Sequence, residues 1–209
     1  MFPNGASESS CSTKGKRLRR PECIARQAGH PRGLVGRLLF RVMAAETLAA
    51  NERALQILGL ERNSRVLEIG FGHGRTLARA LELAPNGYVA GIDVSADMVG
   101  AFRNRQRRSN GPVLIEVKQA SSDRIPYADA HFDRVYAVHT VYFWNSPLVH
   151  LREIRRVMNG DGKFVLAFTP KDPPAVASFP TTVYRFYSIE ETKRFLSEAG
   201  FRGVTMVRE

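Results

Sequence analysis

The feature that most constrains this chain is a short apolar run, Arg65–Ile69. It breaks into three glycines at alternate positions, Gly70, Gly72 and Gly74, and resumes as a helical pattern from Thr76 to Leu83. A strand that turns into a helix through glycines lets a ligand approach the backbone at the carboxyl end of a sheet. The rest of the chain repeats the alternation. Strand-like runs fall at Tyr88–Ile92, Val113–Val117, Phe132–Val138, Lys163–Phe168 and Val204–Val207. Between them lie helical patterns from Ser95 (an N-cap residue) to Asn104, over Pro147–Met158 and over Ile189–Ala199, the last stopping at Gly200. Strands alternating with helices of this length predict an α/β protein with a doubly wound, mainly parallel sheet.

Ahead of that unit the sequence divides in two. Residues 1–30 read as a basic, low-order leader. Residues 31–60 read as a helical cap, with Leu34, Val35, Leu38, Leu39, Val42 and Met43 on one face; residues 61–209 form the main domain. The formal charge is +11, and residues 1–41 hold nine Lys/Arg against two Glu. Such a leader is either a solvated tail or a segment that touches nucleic acid or an anionic membrane. The rest is only mildly basic, and a nucleic-acid partner is not favoured. Cys11 and Cys23 match no zinc spacing and no disulfide framework, and no metal site is expected. The longest apolar stretch, Val135–Trp144, is shorter than the ~20 residues that cross a bilayer. The N-terminus lacks the apolar core of a secretory signal, so the expected location is cytoplasmic.

The spacing of the turn discriminates between ligands. A dinucleotide fingerprint beginning at Gly70 needs a glycine where Arg75 stands. Glu68, two residues before Gly70, is unfavourable beside a phosphate and favourable beside an ammonium. Asp93 ends the second strand, nineteen residues after Gly74, where a carboxylate can accept both hydroxyls of a ribose.

Several ordered blocks then carry a family resemblance. Val66–Gly74, Gly91–Met98, Ile125-Pro126-Tyr127 with Asp129, Phe132 and Asp133, Leu151–Met158, and Glu198-Ala199-Gly200-Phe201 together resemble the class I, Rossmann-like S-adenosylmethionine-dependent methyltransferases. The likeness spans roughly residues 55–208 and is nearest the small-molecule branch that includes ubiquinone-biosynthesis-like enzymes. The resemblance implies that Gly70, Gly72 and Gly74 let the cofactor approach while Glu68 steers its ammonium. It further implies that Asp93 holds the ribose and that Val94 and Met98 pack on the adenine. Ser121 and Ser122 occupy the adenine block, where the family usually has Asp followed by Ala; Asp123 is near enough to substitute. His139 falls at the boundary between cofactor and acceptor. The family's reversed seventh strand has no counterpart before Glu209, so either the sheet lacks its final strand or the chain is cut short.

The implied reaction moves a methyl group to a small apolar or aromatic acceptor entering between the residue 33–50 helix and the Pro170–Tyr187 segment. His139 is either the general base or a packing residue. Tyr142, Phe143 and Trp144 form either an aromatic wall or core. Phe179, Tyr184, Phe186 and Tyr187 either meet the acceptor or pin their loop. No N-P-P-Y motif follows the fourth strand, where the sequence is His139-Thr140-Val141-Tyr142. The alternatives are an RNA methyltransferase using the basic tail with Arg103, Arg105, Arg107 and Arg108, and a non-catalytic S-adenosylmethionine-binding protein.

Overall fold

The computed structural model describes residues 47–108, 114–172 and 176–208, together with Glu22 alone. Apart from Glu22, the expected leader lies outside that set, as do residues 31–46 of the expected cap. The cap's described portion is a helix, α1 (Leu48–Leu58), which ends at Gly59 in the left-handed region at φ 62°.

Among the described residues the sheet has five parallel strands: β1 (Arg65–Ile69), β2 (Tyr88–Asp93), β3 (Ile115–Gln119), β4 (Phe132–Val138) and β5 (Met158–Ala167), in the order β3-β2-β1-β4-β5. Strand β1 is central, paired on one side with β2 (Ile69 beside Ile92) and on the other with β4 (Ile69 beside Ala137). That is why its residues after Arg65 are all buried, whereas edge strand β3 alternates buried and exposed positions.

Helices α2 (Arg75–Leu83) and α3 (Ala96–Arg108) join α1 on one face, and α4 (Pro147–Val157) and α5 (Ile189–Glu198) cover the other. Leu55, Leu58, Leu77, Ala80, Val99 and Phe102 pack with Val66, Val89 and Tyr136 on the first face. On the second, Leu151 and Ile154 of α4 meet Leu67, Ile69, Ile92 and Val135. The chain leaves β1 toward β2 and later returns to place β4 on the opposite side. The loops after β1 and β4 therefore diverge and open a crevice at the carboxyl ends.

Three boundaries differ from the sequence expectation. β3 starts at Ile115 and runs to Gln119, two residues beyond the expected end. β5 begins at Met158 because Met158 pairs with Phe132 and Lys163 with Arg134; the Asn159-Gly160-Asp161-Gly162 turn is an irregularity within the strand. Val204–Val207, expected as a sixth strand, is not one. Val204, Met206 and Val207 are exposed and, among the described residues, pair with no strand, so their apolar side chains lack a sheet to pack on.

Candidate functional site

The glycine turn adopts the conformation its composition permits. Gly70, Gly72 and Gly74 have φ of 73°, 51° and 67°, a region costly for other residues. A Cβ on Gly70 would lie 2.6 Å from Cγ2 of Thr140, and one on Gly74 would collide with the Phe102 ring. The Gly70 N–H donates to the Ile92 carbonyl at 2.8 Å, anchoring the turn to β2.

Two carboxyls stand behind the turn. Asp93 accepts the Gly72 N–H at 2.9 Å through Oδ2 and the Ser95 N–H at 2.8 Å through Oδ1, clamping the loops after β1 and β2 together. Glu68 is buried and accepts the Tyr136 hydroxyl at 2.8 Å. Burial pushes its carboxyl up to about 8; the nearby Asp93 adds to the rise and the Tyr136 hydrogen bond opposes it.

His139 follows β4 with φ of 56°, a strained value for a residue other than glycine, held by its N–H bond to the Ala167 carbonyl at 2.9 Å. Its ring stacks on Tyr142, with Nδ1 3.0 Å from the tyrosine hydroxyl. That hydroxyl also accepts the Thr169 N–H. Burial lowers the His139 imidazole below its ordinary value, so the neutral ring prevails near pH 7.

These residues share a cavity of about 400 Å³. Glu68, Gly70, Gly74, Asp93, Val94, Ser121, Ser122 and His139 all line it. Gly72 does not, acting through its N–H to Asp93. Met98, expected against the adenine, is 2% exposed and lies outside the wall; its N–H donates to Ser95 Oγ. Asp123 is exposed and also lies outside the wall. The opposite wall carries Tyr142, Phe143, Phe179, Tyr184 and Phe186, packed ring to ring, and Thr47, Leu48 and Asn51 of the α1 end close the third side. Tyr136 and His150 carry no motif of their own in the sequence. Among the described residues no group of His, Cys, Asp and Glu is arranged to hold a metal ion, and no helix is long and apolar enough to cross a membrane.

Comparison with known proteins agrees with this geometry. The family described as "Methyltransferase domain" matches residues 67–166. The uncharacterized methyltransferase YdaC of Bacillus subtilis is 28% identical over 134 residues, 64% of this chain and 72% of that protein. YrhH of the same organism, also named as a methyltransferase, is 32% identical over 112 residues, 53% of this chain, which spans only 60% of the relative's length. A solved S-adenosylmethionine-dependent methyltransferase from Aquifex aeolicus superposes with a TM-score of 0.59 at 26% identity, covering 73% of this chain and 79% of that one.

Over residues 67–166 the chain is similar to the methyltransferase family, and its fold is that of the class I, Rossmann-like S-adenosylmethionine-dependent methyltransferases. Its cofactor is S-adenosylmethionine, and the residues present fit it. A Cβ at Gly70 or Gly74 would collide with its neighbours, Asp93 presents a carboxylate and Glu68 a carboxyl that ionises more readily beside a cation, and the volume lies in the ordinary range for small-molecule sites.

Proposed function

We propose that this chain transfers a methyl group to a small, apolar or aromatic acceptor. Glu68 and the glycine turn would receive the methionine end of the cofactor, Asp93 its ribose, and Val94, Ser121 and Ser122 the adenine end. The observation that carries the proposal is that one cavity joins the carboxylate-backed turn to the packed rings of Tyr142, Phe143, Phe179, Tyr184 and Phe186.

The bound cofactor supplies an activated methyl on a sulfonium. The protein's own task is placement. The aromatic wall keeps water from the nucleophile and offers π faces to a cationic or aromatic group. Aligned confinement of this kind contributes up to about 7–11 kcal/mol toward the barrier. His139 lies between the turn and the aromatic wall, neutral and oriented by Tyr142, where it can accept a proton from a phenol or enol. An acceptor without a departing proton would not need it.

Calorimetry with S-adenosylhomocysteine, then methyl-transfer assays on a phenol and enol panel, test this. Wild type should bind, and Asp93→Ala, checked for folding by its melt, should bind at least ~tenfold more weakly through loss of charge-assisted bonds. His139→Ala should keep cofactor affinity yet lose about 10²–10⁴ in kcat on protic acceptors. Wild-type affinity in Asp93→Ala would remove the ribose assignment, and unchanged kcat in His139→Ala would remove the base.

A further inference from the structure

The loop after β3 holds two serines, Ser121 and Ser122, and the structure shows what stands beside them. Ser122 and His150 are 5% and 6% exposed, and Oγ of Ser122 lies 2.8 Å from Nδ1 of His150. His150 comes from the first turn of α4 and stacks almost parallel on Trp144, ring centroids 5.1 Å apart at 7°. Ser121, Ser122, Trp144 and His150 all line the cavity that Asp93 and Val94 also line. The loops after β2 and β3 are neighbours, since the two strands pair from Val89 beside Ile115 to Asp93 beside Gln119. The Ser122–His150 pair therefore lies beyond the ribose-holding Asp93, at the adenine end.

A bond from a helix to a loop can serve merely to dock the two. Docking alone does not require a polar pair at a cavity wall, and burying one there costs free energy unless its bonding is completed. After the bond to His150, the serine still offers either its proton or its lone pairs.

We infer that Ser122 and His150 form the base-reading element of the cofactor site, a neutral pair that bonds the edge of the adenine ring in place of a carboxylate. This rests on the cavity being the S-adenosylmethionine site. Its chemical consequence is specific. A carboxylate can only accept, so it suits a 6-amino group and repels a 6-oxo group. A hydroxyl paired with an imidazole can accept from the one or donate to the other, and discrimination between them is relaxed.

The test is calorimetry with S-adenosylhomocysteine and its deaminated, inosyl counterpart. Wild type should bind both within about tenfold, the scale of one neutral hydrogen bond. Ser122→Ala should weaken both by roughly three- to tenfold. His150→Phe, which keeps a ring on Trp144, should do the same. The double variant should lose less than the product of the two, because the partners act as one unit. Melting curves identify any variant that fails to fold, and Ser122→Thr, which keeps the hydroxyl, should retain affinity. Folded single variants that bind both ligands like wild type would overturn the inference while leaving the cofactor reading intact. So would a wild-type preference for the adenosyl ligand above about a hundredfold, a gap too large for one neutral bond. Absence of any binding by wild type would overturn the inference and the cofactor reading together.

Discussion

Glu68 behaves as a proton store beneath the glycine turn. Its carboxyl, ordinarily near 4.5, is held at about 8 chiefly by burial, so the unliganded protein keeps it neutral through most of the physiological range. For a carboxyl raised on folding, the stabilising contribution is complete below the unfolded value and is lost as pH rises through the folded one. Melting temperature should therefore fall from about pH 5 to beyond pH 8 in wild type, and Glu68→Gln should flatten that slope. Superimposable pH profiles for the two proteins would refute the assignment. The same sign favours cofactor binding at higher pH, where the ionised carboxylate meets the ammonium. Glu68, the glycines and Asp93 were legible in the sequence because they lie at fixed distances within two consecutive βα units. His150 was not legible: its partner Ser122 is 28 residues away, and inside a helical pattern a histidine beside Leu148 and Leu151 carries no sign of facing a cavity. The resemblance implied that Met98 packs on the adenine; its side chain is buried and does not line the cavity.

At the scale of elements, local chemistry set the helices more firmly than the strands. Pro147 stands at the start of α4 and Gly59 ends α1, both where backbone rules put them. Helix α5 opens with a capping box: Ser188 Oγ accepts the Glu191 N–H at 3.1 Å, and Glu191 Oε2 accepts the Ser188 N–H at 2.7 Å. Ser188→Ala should cost about 1 kcal/mol in urea unfolding and leave S-adenosylhomocysteine affinity unchanged. No loss of stability would mean that the box is dispensable. Strand ends were less legible because pairing decides them. β5 reaches back to Met158 through its contact with Phe132, and Val204–Val207 stays out of the sheet despite three apolar side chains. The arginines at the end of α3 show the same dependence on context. Arg103 donates to the Val117 carbonyl at 2.7 Å and Arg105 to the His73 carbonyl, so both help hold the fold rather than standing only as a surface charge patch.

For the molecule as a whole, the strand order places the cavity at the carboxyl ends of the strands, between elements of both hydrophobic clusters. The glycine turn and the α1 end wall the cavity from one face, while α4 and the Phe179–Phe186 segment wall it from the other. A ligand seated there touches elements packed into both hydrophobic clusters, so its binding energy should add to global stability and not merely order a loop. At a concentration one hundred times its Kd, a ligand that binds only the folded state adds about 2.7 kcal/mol. For a domain of this size that corresponds to a rise of roughly 5–11 °C in Tm. S-adenosylhomocysteine should produce such a rise. NAD should not, because Arg75 stands where its fingerprint needs glycine and because the Asp93 carboxylate opposes a pyrophosphate at the turn. A thermal shift with NAD and none with S-adenosylhomocysteine would reverse the cofactor assignment. A shift with S-adenosylhomocysteine that vanishes in Gly72→Val, with the unliganded melt still cooperative, would place the coupling at the turn itself.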